Sequence, residues 1–120
     1  MKKSAMGIIV VLLLGGVVKA QDVKNVRVLP FKSTREIVPY MKEMAGTLGV
    51  KCNFCHNMKD KSLDEIKHKL IAREMMRMVN GINKDYMTPL KVDAITCWTC
   101  HRGTSEPPRS VDDKRKPHKH

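Results

Sequence analysis

All four cysteines of this 120-residue chain fall into two copies of one pattern, Cys52-Asn53-Phe54-Cys55-His56 and Cys97-Trp98-Thr99-Cys100-His101. A thiol adds across a vinyl group to form a thioether. Two thiols separated by two residues match the gap between neighbouring vinyls of one haem, and a histidine placed directly after them reaches the iron from beneath the ring. The spacing points to two covalently attached haem c groups. Cys52 and Cys55 would hold one and Cys97 and Cys100 the other, with His56 and His101 as proximal iron ligands.

Two other chemistries use paired cysteines. Four thiolates in two pairs could hold one structural zinc, and a single pair could be a redox disulfide. Zinc accounts for the cysteines but not for a histidine after both pairs. A thioredoxin-like disulfide needs a βαβ pattern that neither pair has around it.

The chain ends agree with attachment outside the cytoplasm. Lys2 and Lys3 precede a short apolar run at residues 8–18, and Val18-Lys19-Ala20 resembles a cleavage site with Gln21 as the new N-terminus. Residues 1–20 are expected to be a signal peptide directing export to the periplasm, or beyond the cell. The run is short for a membrane span, and an uncleaved anchor is the alternative reading. No cysteine follows it to carry a lipid.

Removing residues 1–20 takes away three lysines and no acid, which lowers the formal charge from +11 to +8. A basic exported protein of this kind is expected to dock on acidic surfaces of electron-donor and electron-acceptor proteins, a membrane-bound redox complex among them, and not on nucleic acid. The tail at residues 114–120 reads as a solvated end. With one Trp, two Tyr and two Phe, the chain is too poor in aromatic residues for a strong core of its own. The apo chain is expected to fold poorly, much as small metal domains do without metal.

Helices must position the motifs. Residues 21–32 read as a lead-in, with Val23, Val26, Val28 and Leu29 packing on the domain. Ser33 and Glu36 form a capping-box pattern ahead of Ile37, Met41, Met44, Ala45 and Leu48, which share a helix face. Pro39 implies a late start or a bend, and Gly49 a stop. A second capping box at Ser62 and Glu65 predicts a helix to Asn80, capped by Gly81. Its apolar stripe is Leu63, Ile66, Leu70, Ile71, Met75, Met78 and Val79. Residues 83–93 read as a connector containing Pro89, and 103–120 as a loose tail. The expected fold is mainly α: two helix–connector–CxxCH haem modules packed as one small dihaem domain over residues 33–108, followed by a basic tail at 109–120. Each motif has an upstream Met-x-x-Met, and the second connector is eleven residues longer than the first.

From residue 37 to about 108 the chain resembles the cytochrome subunit of photosynthetic reaction centres. The resemblance lies in Met41-Lys42-Glu43-Met44, Leu48-Gly49-Val50, Ala72-Arg73-Glu74-Met75-Met76-Arg77-Met78, Ile82-Asn83-Lys84 and Thr96-Cys97-Trp98-Thr99-Cys100-His101-Arg102-Gly103. In that family a helix methionine upstream of each motif ligates the haem that follows. The resemblance thus implies Met41 and Met75 as distal ligands, with Met44 and Met78 packing against porphyrin or core. The purple-bacterial member carries four haems, so this chain looks like one half of it. A distal histidine that the larger protein takes from a connector would fall here close to Pro89.

His68 competes with Met75, since it lies two turns earlier on the same stripe; an exposed helix histidine between Lys67 and Lys69 is the plainer reading. His118 and His120 could cap an iron in a neighbouring molecule. Phe54 and Trp98 read as packing for the ring, and Arg102 as either a propionate partner or a surface arginine. The leading function is an electron carrier with both irons ligated by His and Met. A subunit that self-assembles into a conductive filament is the structural alternative. A haem peroxidase is the enzymatic one, but it needs an open iron position and a distal His–Arg pair that the sequence does not display.

Overall fold

The computed structural model describes residues 22–113. The expected signal peptide and the tail at residues 114–120 lie outside them. Among the described residues the protein is mainly helical and has no strand, with one isolated bridge between Asp22 and Ser33. No helix there is long and apolar enough to cross a membrane.

Helix α1 spans Thr34–Leu48. Its start is the expected capping box: the Glu36 carboxylate accepts from the Ser33 N–H at 3.1 Å and from the Ser33 hydroxyl at 2.8 Å. Pro39 lies inside the helix, so α1 begins five residues before it, and the Arg35 carbonyl loses its usual ladder partner there. Gly49 ends α1 in the left-handed region at φ 62°. The Val50 N–H bonds the Ala45 carbonyl and the Gly49 N–H bonds that of Gly46, the paired bonds of a Schellman stop.

The second helix departs from expectation at both ends. Helix α2 spans Lys67–Ile82, with Ile66 at its N-cap and no side-chain cap. Ser62 instead closes a turn, its hydroxyl and N–H both donating to Asp60. At the other end Gly81 is helical and caps nothing. The chain continues through a π turn at Asn83–Met87 into a last turn, α3, at Thr88–Leu90. Pro89 sits in the first turn of α3. The wide π turn before it relieves the clash that a regular ladder would make with the proline ring. Lys91, at φ 56°, takes the left-handed role expected of Gly81, and the Lys91 and Val92 N–H groups bond the carbonyls of Thr88 and Met87. The connector expected at 83–93 is therefore helical as far as Leu90.

Helix α4, Cys97–His101, contains the second motif and packs against α1. The approach is closest where two glycines meet. The Gly103 N–H bonds the Thr47 carbonyl at 2.8 Å, and a Cβ on Gly49 would stand 2.0 Å from the Gly103 carbonyl oxygen. Thr104 is buried beneath this contact. The chain after the second motif is thus anchored through Thr104 rather than loose from residue 103 onward.

Among the described residues the deeply buried side chains are one apolar residue, Val50, and three polar ones, Lys69, Arg73 and Thr104. At 100° per residue, Lys69, Arg73 and Met76 share one face of α2, while Ile71, Met75 and Met78 lie on the opposite face. The apolar face is the exposed one, with Met75 at 40% and Met78 at 48% of full exposure. The sequence stripe is present, but the lead-in and the first loop pack against its polar reverse.

Candidate haem-binding sites

The first motif folds as a single 3₁₀ turn at Cys52–Phe54, directly after the α1 stop. The N–H groups of Cys55 and His56 both bond the Cys52 carbonyl, which folds the histidine back under the cysteines. The His56 Nδ1 lies 3.0 Å from the Lys61 carbonyl. A carbonyl only accepts, so Nδ1 carries the proton and Nε2 keeps its lone pair for a metal. Burial pushes the His56 pKa below its ordinary value, outweighing the carbonyl bond, and the charges of Lys69, Lys61 and Arg73 act in the same direction as burial. The imidazole is held neutral, the form that ligates.

Beside this motif is an open cavity of about 610 Å³, whose lining includes Lys42, Ala45, Gly46, Lys51, Cys52 and Met58. That size falls within the range of about 300–1,000 Å³ common for cofactor sites. Gly46 meets nothing where a Cβ would be, so this side of α1 leaves room for a flat ring. Met41 is one turn before Ala45 on the same side of the helix. Met44, about 60° round the helix from Met41, lies between it and the side of Tyr40 and Thr47 that faces α4.

The second motif is built on the same plan with different parts. Thr96 is the N-cap of α4, its N–H accepted by the Thr99 hydroxyl at 3.0 Å. The His101 Nδ1 is 2.9 Å from the Thr104 carbonyl, which again protonates Nδ1 and leaves Nε2 for a metal. The Thr104 hydroxyl donates to the His101 carbonyl at 2.9 Å. Arg102 and Gly103 both take positive φ, and this turn brings Thr104 back beneath the histidine. Tyr40 of α1 reaches this site: burial, then Cys97, then Glu43 push its pKa up, and its ring meets Phe31 at 5.5 Å.

Several positioning residues escaped the sequence reading. Asn83, in the π turn, donates to the Ile95 carbonyl at 2.9 Å and accepts from the Ile95 N–H at 2.8 Å. This two-point clamp holds the residues that lead into the second motif. An asparagine soon after a glycine reads as a helix stop, and nothing local identifies its partner twelve residues on. Asn83→Ala is expected to lose both bonds and cost about 1–3 kcal/mol. Hydrogen exchange should show the Ile95 amide deprotected in that variant while the amides of α1 keep their protection.

A polar network does the same for the first site. Lys69 donates to the carbonyls of Lys61, Ser62 and Leu63 at 2.7–2.9 Å. Arg73 donates to Asp64 at 2.9 Å and to the Asn25 carbonyl at 3.0 Å. Asn25, at φ 59°, donates to Asp64 in turn, which joins lead-in, loop and α2. The Asp64 carboxyl is held far below the usual carboxylate range by its bonds to Arg73, Asn25 and Lys69.

His68 is exposed, as the plainer reading has it, but it faces the first loop. Its ring stacks on Phe54 at 4.0 Å and its Nδ1 lies 3.2 Å from the Phe54 carbonyl. Trp98 and Arg102 are exposed. The four cysteines are free thiols. Among the described residues no three His, Cys, Asp or Glu side chains gather as metal ligands, so the two pairs are not brought together around one zinc. The donor set fits haem better: at each motif paired thiols are followed by a histidine whose Nδ1 is tied to a carbonyl, leaving Nε2 for the iron, and an apolar-lined cavity lies beside the first.

A family model described as the photosynthetic reaction centre cytochrome C subunit matches residues 13–119. The chain belongs to that family. Relatives include cytochrome c-554 of Chloroflexus aurantiacus, 37% identical over 81 residues, covering 64% of this chain and 20% of that protein. The photosynthetic reaction center cytochrome c subunit of Thermochromatium tepidum is 34% identical over 92 residues, covering 74% of this chain and 23% of that protein. The subunit of the same name from Rubrivivax gelatinosus is 33% identical over 93 residues, with 72% and 24% covered. The chain thus spans about a fifth to a quarter of the length of these relatives. The reaction centre cytochrome family consists of haem c proteins of electron transport, not of enzymes.

Proposed function

We propose that the chain is an exported dihaem c-type cytochrome that passes single electrons between redox proteins of the periplasm. The observation that carries this reading is the arrangement found at both motifs: paired free thiols followed by a histidine whose Nδ1–H is tied to a backbone carbonyl. Bound haem supplies a one-electron iron couple. Cys52 and Cys55 would anchor the first ring and Cys97 and Cys100 the second. His56 and His101 would present Nε2 to the irons, oriented by Lys61 and Thr104. Met41 and Met75 would supply thioether sulfur on the distal sides, which favours the reduced state. Support for Met75 comes from its place on the exposed apolar face of α2, and for Met41 from its place one turn before the cavity.

The partners we infer are donor and acceptor proteins with acidic surfaces, a membrane-bound redox complex being one candidate. The exposed Lys42 and Lys51 of the cavity lining and the exposed Lys59 and Lys61 nearby support docking on the first site's side. Mass spectrometry of the exported protein tests the reading. We expect the polypeptide plus two haem masses, two haems by pyridine haemochrome, and a low-spin reduced spectrum. A mass equal to bare polypeptide, or polypeptide with one zinc, would sink it.

A further inference from the structure

We infer that Lys69 is a positioning residue that sets the electron density reaching the first iron through His56, so that the two haems differ in potential although their ligand sets match. The inference rests on the reading that His56 ligates haem.

Its basis is one shared oxygen. The Lys61 carbonyl accepts from His56 Nδ1 at 3.0 Å and from Lys69 Nζ at 2.9 Å. A carbonyl has two lone pairs, and here an ammonium occupies the position beside the imidazole N–H. Lys69 is 8% exposed, so water screens its charge weakly. The ammonium draws density from the carbonyl and makes it a poorer acceptor. The imidazole then keeps less anionic character and donates less to iron. The positive charge also disfavours the ferric state directly. Both effects raise the first potential.

Asp64 opposes them. Its Oδ1 lies 3.0 Å from Lys69 Nζ, and its Oδ2 is 2.9 Å from Arg73. At the second site the acceptor is instead the carbonyl of Thr104. Thr104 supplies both the carbonyl for His101 and a hydroxyl whose one proton serves the carbonyls of His101 and Glu106 as alternatives. The motifs alone give no sign of this difference, because Lys69 looks like one more lysine on a basic helix.

The test is a spectroelectrochemical titration of full-length holoprotein. The first haem is taken as the one whose potential moves in Met41→Ala. Lys69→Met removes the charge with little change in size. It should shift the oxidised-to-reduced ratio of the first haem about tenfold toward oxidised at a fixed poise, or about 59 mV for one electron, and leave the second haem in place. Lys69→Arg should restore most of the ratio. Asp64→Asn removes the opposing charge and should move the first haem the other way.

Loosening of the loop alone would move Lys69→Met and Asp64→Asn in the same direction, and that result overturns the proposal. So does an unmoved first haem in Lys69→Met, or an equal shift of both haems. If Lys69→Met yields no holoprotein, Asp64→Asn, which should shift the first haem toward reduced, and Lys69→Arg, which should shift it little, decide the question. Covalent haem missing from the Cys52–Cys55 pair of the unaltered protein would show in its mass, and would overturn the ligation reading and this proposal together.

Discussion

Gly49→Ala is expected to destabilise the holoprotein by more than about 3 kcal/mol, a value beyond most single substitutions. Two independent causes add. The new Cβ would stand 2.0 Å from the Gly103 carbonyl oxygen and 2.9 Å from its carbon, both backbone atoms with no rotamer to escape into. The residue would also be held at φ 62°, where an L side chain is strained. Relief requires α1 and the turn after α4 to separate. That turn carries Thr104, whose carbonyl orients His101. A change beside the first motif should therefore disturb the second site. Denaturant unfolding measures the loss, and the visible absorption and circular dichroism of the haems report which site moves.

Gly81→Ala is the control. Gly81 is helical and an added Cβ meets nothing within 4 Å, so alanine should gain up to about 1 kcal/mol from helix propensity. Were Gly81 a left-handed cap, alanine would be harmful there instead. A Gly49→Ala protein as stable as the parent would refute the close approach of the two motifs.

Met75→Ala is expected to open the distal side of the second haem, and Met41→Ala that of the first. Each should lower one potential by on the order of 100 mV, a modest part of the roughly 0.8 V that axial ligation spans. Each should also admit carbon monoxide at one iron and leave the other unchanged. The two methionines are placed differently. Met75 lies on the exposed apolar face of α2, opposite the buried Lys69 and Arg73. Met41 lies one turn before Ala45 of the cavity lining, with Met44 about 60° round the helix from it. His68 is the competing ligand, but its ring is stacked on Phe54 of the first motif and its Nδ1 lies against the Phe54 carbonyl. If Met75→Ala leaves both irons six-coordinate while His68→Ala changes one spectrum, the distal assignment is wrong. Carbon monoxide titration and magnetic circular dichroism of each variant separate these outcomes.

What could be read without a structure was local. Cys-x-x-Cys-His is a contact between neighbours, so its chemistry is written in five consecutive residues. The box at Ser33 and Glu36 and the stop at Gly49 involve partners within about one helical turn, and both form as the residue order predicts. The family was legible too, because short stretches recur in order along the chain.

Partners distant in sequence were not legible. The box at Ser62 and Glu65 fails because Asp60 takes the Ser62 hydroxyl, while Asp64 is engaged by Lys69, Arg73 and Asn25. Gly81 continues the helix, and the stop moves to Lys91, after Asn83 has been claimed by Ile95. The apolar stripe of α2 gave the right residues but not the face that packs on protein, because burying Lys69 and Arg73 is favourable only once three carbonyls and a carboxylate have been gathered to receive them. Residue order alone marked the groups proposed to attach haem and to ligate it from the proximal side, since that pattern is local. The tertiary structure decided how the histidines are held and which charges they feel, since these depend on carbonyls and side chains that only the fold brings together.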